Sequence, residues 1–224
     1  MSWFSGSLTA KVTAALSAML LLLAGSMVAV YVQVQKQETD GLVINETGKL
    51  RMLSQRVAKS ALTAGREGIS SQKRSQAREE LQDVAQQFND GLQAVYKGDP
   101  SRSIPPAPPA VAKQLSGVEA LWQKTRSDIG QVLKAEPGSE ASEEALAGIQ
   151  SRNLDLLKEA DAAVGLFEKQ AEAKITSLYW ILSVLMGLGA LLFVGILVAM
   201  QRLLVAPVQQ LDEAAQQVAA GDLE

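Results

Sequence analysis

Residues 40–59 read DGLVINETGKLRMLSQRVAK. Wound as an α-helix at about 100° per residue, the segment carries two apolar or small stripes instead of one. Leu42, Leu50, Leu53, Val57 and Ala61 line the first, an ordinary core seam. Roughly opposite, Ile44, Thr47, Gly48, Arg51, Gln55, Ala58 and Leu62 fall together at three- and four-residue steps. Gly48 inside a helix costs about 1 kcal/mol relative to Ala. Arg51, one turn away, carries a charge that cannot be buried without a counter-charge. A second helix face with a small residue and an Arg side by side suggests a helix–helix contact around an anion. On that face Gln55 offers its amide and Thr47 its hydroxyl as further donors. Arg56 and Lys49 lie well round the helix and do not share it. The alternative for Arg51 is a solvated side chain, or a surface ion pair worth about 0–1 kcal/mol.

Working outward, residues 12–35 carry no charge, and about 20 apolar residues as helix cross a bilayer core. A cleaved signal peptide is the rival reading. Its apolar region runs about 7–15 residues, and no convincing A-x-A site follows here. The expectation is an uncleaved anchor behind a cytoplasmic N-terminus, 1–11. Residues 175–201 are again uncharged, entered by Tyr179 and Trp180 and closed by Arg202. Basic residues flank both ends of both spans, so the distribution of Lys and Arg does not orient the chain.

Between the spans, 36–174 has the character of one soluble domain. Gly65, Gly68, Ser70 and Ser71 mark a first turn. A helix over 72–97 repeats Leu81, Val84, Phe88, Leu92 and Val95, and Gly98, Asp99 and Pro100 end it. The Pro-rich stretch 101–109 reads as a stiff polyproline-like crossover. A helix over 110–135 follows, with Val111, Leu115, Val118, Trp122, Thr125, Ile129 and Val132 on its seam. After Glu136, Pro137 and Gly138, Ser139 is the N-cap of a fourth helix, with Glu140, Glu143 and Glu144 in its first turn. Its seam reads Leu146, Ile149, Asn153, Leu157, Ala160, Val164, Phe167, Ala171 and Ile175. Asn153 there is a register-setting polar residue or a ligand contact. No segment alternates with the period of a strand. The fold class is therefore all-α: an antiparallel four-helix bundle between two transmembrane helices.

Composition narrows the chemistry. With 47% hydrophobic but only 4% aromatic residues, the chain suits Ala/Leu/Val helices. A net charge of −3, with no basic cluster interleaved with aromatics, argues against nucleic acid. Cys and His are both absent, which removes thiol nucleophiles, imidazole bases and nearly every zinc, copper or haem site. Neither an enzyme nor a resident cofactor is expected, since no nucleophile–base pair can be assembled.

Two stretches resemble known families. INETGKLRMLSQRVAK, with its Gly-x-x-Arg-Met and Ser-x-Arg elements, resembles the signature of the PilJ-type sensor domain of bacterial chemoreceptors. It is also similar to the first-helix P-box of the nitrate/nitrite sensor histidine kinases. That resemblance implies a homodimer through the first helix, holding one nitrate per dimer between paired arginines. By position the ligand residue is Arg51, three after Gly48, with Thr47 and Gln55 beside it. Residues 202–224, with Pro207, Leu211, Glu213 and Gly221-Asp222-Leu223, resemble the first half of a HAMP signal-relay domain. HAMP modules are cytoplasmic. The resemblance thus implies a periplasmic bundle in a bacterial inner membrane and an output module further on, engaging a chemotaxis adaptor and kinase. The sensor half of a histidine kinase, or a pilus-linked protein-interaction module without an anion ligand, are the alternatives.

Overall fold

The computed structural model describes residues 8–209. Its order is α1 (Leu8–Ala64), α2 (Ser71–Lys97), a 3₁₀ turn (Pro100–Arg102), α3 (Pro109–Lys134), α4 (Glu140–Met200) and a π turn (Gln201–Val205). The described residues contain no strand, only one isolated bridge between Asp99 and Ile104. The chain divides into two compact units, one of them Gln35–Ala173.

Gln35–Ala173 is an all-α four-helix bundle. Each helix buries a seam that alternates steps of three and four, the spacing of left-handed knobs-into-holes packing. On α3 the buried set is Val111, Leu115, Val118, Trp122, Thr125, Ile129 and Val132, the seam read from sequence. On α2 the expected Leu81, Val84, Phe88, Leu92 and Val95 are all buried, joined by Ala77 and Gly91.

On α1 the buried line is Val43, Thr47, Leu50, Ser54, Val57, Ala61 and Ala64, with Leu53 and Ala58 beside it. Leu42, expected on the seam, is instead 45% exposed, and Val43 takes its place. Two hydroxyl residues sit in this seam because each satisfies itself locally. Thr47 Oγ1 donates to Val43 O at 2.7 Å and Ser54 Oγ to Arg51 O at 2.8 Å. A reading keyed to apolar residues alone therefore sets the seam a fraction of a turn off. Similarly on α4, Leu156 is buried where Leu157 was expected, and Leu157 and Asn153 are half-buried.

The helix ends follow the local chemistry. Ser70 Oγ accepts from Lys73 N at 3.4 Å to open α2. Ser139 Oγ accepts from Ser142 N at 3.3 Å to open α4, with Glu140 and Glu143 in the first turn. The 98–109 connector is more folded than a polyproline spacer. Gly98 takes φ 87°, and a side chain there would press on the backbone of Pro105 and Pro106. Asp99 and Ile104 then exchange backbone hydrogen bonds at 2.8 and 3.0 Å, turning Ile104 into the core.

The other unit takes the described residues before Gln35 and after Ala173. Two of the helices contain stretches long and apolar enough to cross a membrane, and none of those residues is buried in protein. Met27 at 76% and Leu191 at 72% exposure typify them. The π turn precedes Pro207, whose missing N–H and bulky ring disfavour a regular α-turn there. Apart from Pro207, the residues that carry the HAMP resemblance (Leu211, Glu213, Gly221, Asp222 and Leu223) lie outside the described residues.

Candidate functional site

Arg51 stands on the outer face of α1. Its Nη1 donates to Asp161 Oδ1 on α4 at 2.5 Å, and the two side chains are 45% and 61% exposed. The opposite end of the guanidinium lies over Gly48: a Cβ built on Gly48 would sit 3.9 Å from Arg51 Nη2 and meet no other helix among the described residues. Gly48 and Arg51 are thus brought together, one turn apart, with the guanidinium across bare backbone.

One turn further along α1, Gln55 pairs with Asn153 of α4 through reciprocal amide hydrogen bonds at 3.4 and 3.3 Å. These two cross-links run in opposite sequence directions on the two helices, as antiparallel neighbours require. The Asn153 amide therefore pins the register of α4 against α1, one of the two roles its position suggested. Thr47 lies elsewhere. It is fully buried in the seam and its hydroxyl is donated to Val43 O, so it stands beneath the Arg51 face and not on it.

The neighbouring cations are engaged away from this face. Arg56 meets Glu80 of α2 at 3.5 Å. Lys49 Nζ lies 2.5 Å from Glu46, which Arg102 of the connector also approaches at 3.5 Å. Glu46, Lys49 and Arg102, with Asp90, border a hollow of about 250 Å³ between α1 and α2. Its charges neutralise one another, so it reads as the clamp that fixes the connector.

Sequence reasoning missed Asp161. Its position relative to α1 depends on the α1–α4 register, which no local pattern encodes. The helical period does place it on the exposed side of α4, because its neighbours Ala160, Ala163 and Val164 are all buried.

Comparison with known proteins gives the class first. The N-terminal domain of type IV pili methyl-accepting chemotaxis transducers, PilJ, matches residues 32–148 as a family model, and this is a chemoreceptor-type sensor domain. The chain belongs to the PilJ family. Among curated relatives, the protein PilJ of Pseudomonas aeruginosa is 31% identical over 120 residues. That alignment covers 53% of this chain and 17% of the relative, so the chain corresponds to a small part of the relative's length. The family match spans Gly48, Arg51 and Gln55 and ends before Asn153 and Asp161.

Proposed function

We propose that the chain is the sensing region of a transmembrane chemoreceptor that binds nitrate between two copies of itself. Its bundle stands in the periplasm of a bacterial inner membrane. The observation that carries the reading is Arg51 exposed beside Gly48 on an α1 face that the chain leaves uncovered. Met52, Leu62 and Leu154 are exposed apolar residues of α1 and α4 in the same part of the bundle, a surface suited to a second copy.

At a two-fold axis, two Arg51 guanidinium groups would face one another. A small planar anion with three coplanar acceptors turns their repulsion into charge-assisted hydrogen bonds from two rigid forks. Gly48 leaves room for close approach, and Gln55 supplies an amide donor at the rim. Thr47 contributes by holding the helix beneath the site. The anion and the dimer are then thermodynamically linked, each tightening the other. α4, helical from Glu140 to Met200, suits the relay of a small helix shift through the second span to a HAMP module and its output partners.

Calorimetry of the purified chain with millimolar nitrate tests the reading. Heat with one anion per two chains is expected, lost in Arg51→Ala and much weakened in Arg51→Lys, which keeps the charge but not the fork. No heat, or heat indifferent to Arg51, overturns it.

A further inference from the structure

We infer that Asp161 is a built-in counter-ion that occupies Arg51 in the empty receptor and is displaced when the anion binds. This rests on the anion reading of Arg51 and adds a residue to it. Among the described residues, Asp161 is the acidic side chain within ion-pair distance of Arg51.

The energetics permit the exchange. Both side chains are about half exposed or more, and ion pairs that open to solvent are weak. Only Nη1 is engaged, so Nε and Nη2 still have donors to offer an incoming anion. Charge then decides what must move. Two Arg51–Asp161 pairs facing each other across a two-fold axis are neutral, so the empty dimer is spared the repulsion of two bare cations. An anion entering between them meets two carboxylates of its own sign within a few ångströms. It gains full benefit from the guanidinium groups only as the Asp161 carboxylates withdraw toward water. Asp161 therefore sets the threshold of the sensor, weakening the anion's affinity while supporting the empty dimer.

The exchange also has a mechanical consequence. The Arg51–Asp161 tie joins α1 to α4, and the Gln55–Asn153 tie joins the same helices one α1 turn away. The second pair is uncharged, and Gln55 Nε2 carries a second N–H for the anion, so this pair need not break. Release of the charged tie with retention of the amide tie frees α4 from α1 on one side of a fixed point. That is a small differential movement of the kind two-state relays amplify.

The test is nitrate calorimetry and sedimentation of the full chain in detergent micelles, comparing wild type with Asp161→Asn, Asp161→Ser and Arg51→Ala. Asp161→Asn and Asp161→Ser are expected to bind nitrate roughly two- to thirtyfold more tightly, since two weak pairs are surrendered per anion. Their dimers should be weaker than wild type when nitrate is absent. If wild type binds nitrate through Arg51 but both Asp161 variants bind equally or more weakly, the counter-ion role is overturned and the anion reading stands. If neither wild type nor the Asp161 variants bind nitrate, the anion reading falls and the counter-ion with it.

Discussion

The rings of Phe88 and Trp122 lie 4.2 Å apart between centroids, tilted by 35°, and join α2 to α3 at the middle of the bundle. Trp122 Nε1 donates to Asn89 Oδ1 at 3.3 Å, so the indole is fully buried without an orphaned N–H. With so few aromatic residues in the chain, this pair is the bulkiest part of a core otherwise built from Leu, Val, Ile and Ala.

Trp122→Ala removes that bulk and leaves a cavity beside Phe88 in the core. The expected cost is about 3–5 kcal/mol. Trp122→Phe keeps a ring but forfeits the bond to Asn89 and should cost less than half as much. Urea unfolding followed by circular dichroism distinguishes the two. A Trp122→Ala protein that unfolds with wild type would show that the bundle does not pack through this contact.

Two helical glycines are expected to respond in opposite ways to the same change. A Cβ at Gly91 of α2 would press to 3.2 Å from Leu50 Cδ2, so the fully buried Leu50 must shift out of its place in the seam. Gly91→Ala should lower the melting temperature. A Cβ at Gly48 meets only Arg51 Nη2, at ordinary contact distance. Gly48→Ala should raise the thermal stability of the bundle, by about 0.4–1 kcal/mol. Under the proposed two-copy site it should at the same time weaken nitrate binding, because the added methyl would stand where the second copy approaches. Thermal melts with and without nitrate check both halves.

These contrasts bear on how much the sequence made legible. The α3 seam was readable residue by residue, and on α2 the large apolar residues were, since these positions recur without competition from another face. On α1 the presence of two faces was readable but not their exact limits. Thr47 and Ser54 look polar in sequence and become core residues by donating to their own backbone. Gly48 and Arg51 were readable as neighbours because helical geometry alone brings them together. Asp161 was not. Its meeting with Arg51 depends on the register of helices far apart in sequence, set by turns and by the Gln55–Asn153 pair. The folded connector was hidden for a related reason: proline composition announces stiffness, whereas the Asp99–Ile104 closure depends on Ser103 accepting φ 57°.

Two ion pairs between helices should differ in weight. Asp128 of α3 faces Arg152 of α4, with side chains only 19% and 23% exposed, whereas Arg56 and Glu80 are 41% and 52% exposed. Removing Asp128 leaves Arg152 largely desolvated without its carboxylate, so Asp128→Ala should cost about 1.5–3 kcal/mol. Glu80→Ala should cost at most about 1 kcal/mol, and less in high salt. Chemical denaturation in low and high salt separates them. Equal costs would mean that burial does not distinguish the two pairs.

The connector carries its own acid-sensitive staple. Asp99 Oδ1 accepts from Ser101 Oγ at 2.6 Å and Ser101 N at 3.0 Å, while Oδ2 accepts from Arg102 Nε at 2.6 Å. The Ser101 hydroxyl first, then the Arg102 guanidinium, lower the carboxyl pKa from 3.8 to about 2. A depressed folded pKa means that the carboxylate favours the closed loop above pH 3.8. That contribution declines as pH falls below it and is gone once pH has passed through about 2. Carbon-detected titration of Asp99 should therefore give a midpoint near 2, with amide exchange over 99–104 accelerating as the pH drops through that window. Ser101→Ala, by removing the largest cause of the shift, should move the midpoint upward and bring the loosening to higher pH. A midpoint at the ordinary value of 3.8 in wild type would mean that the staple does not close in solution.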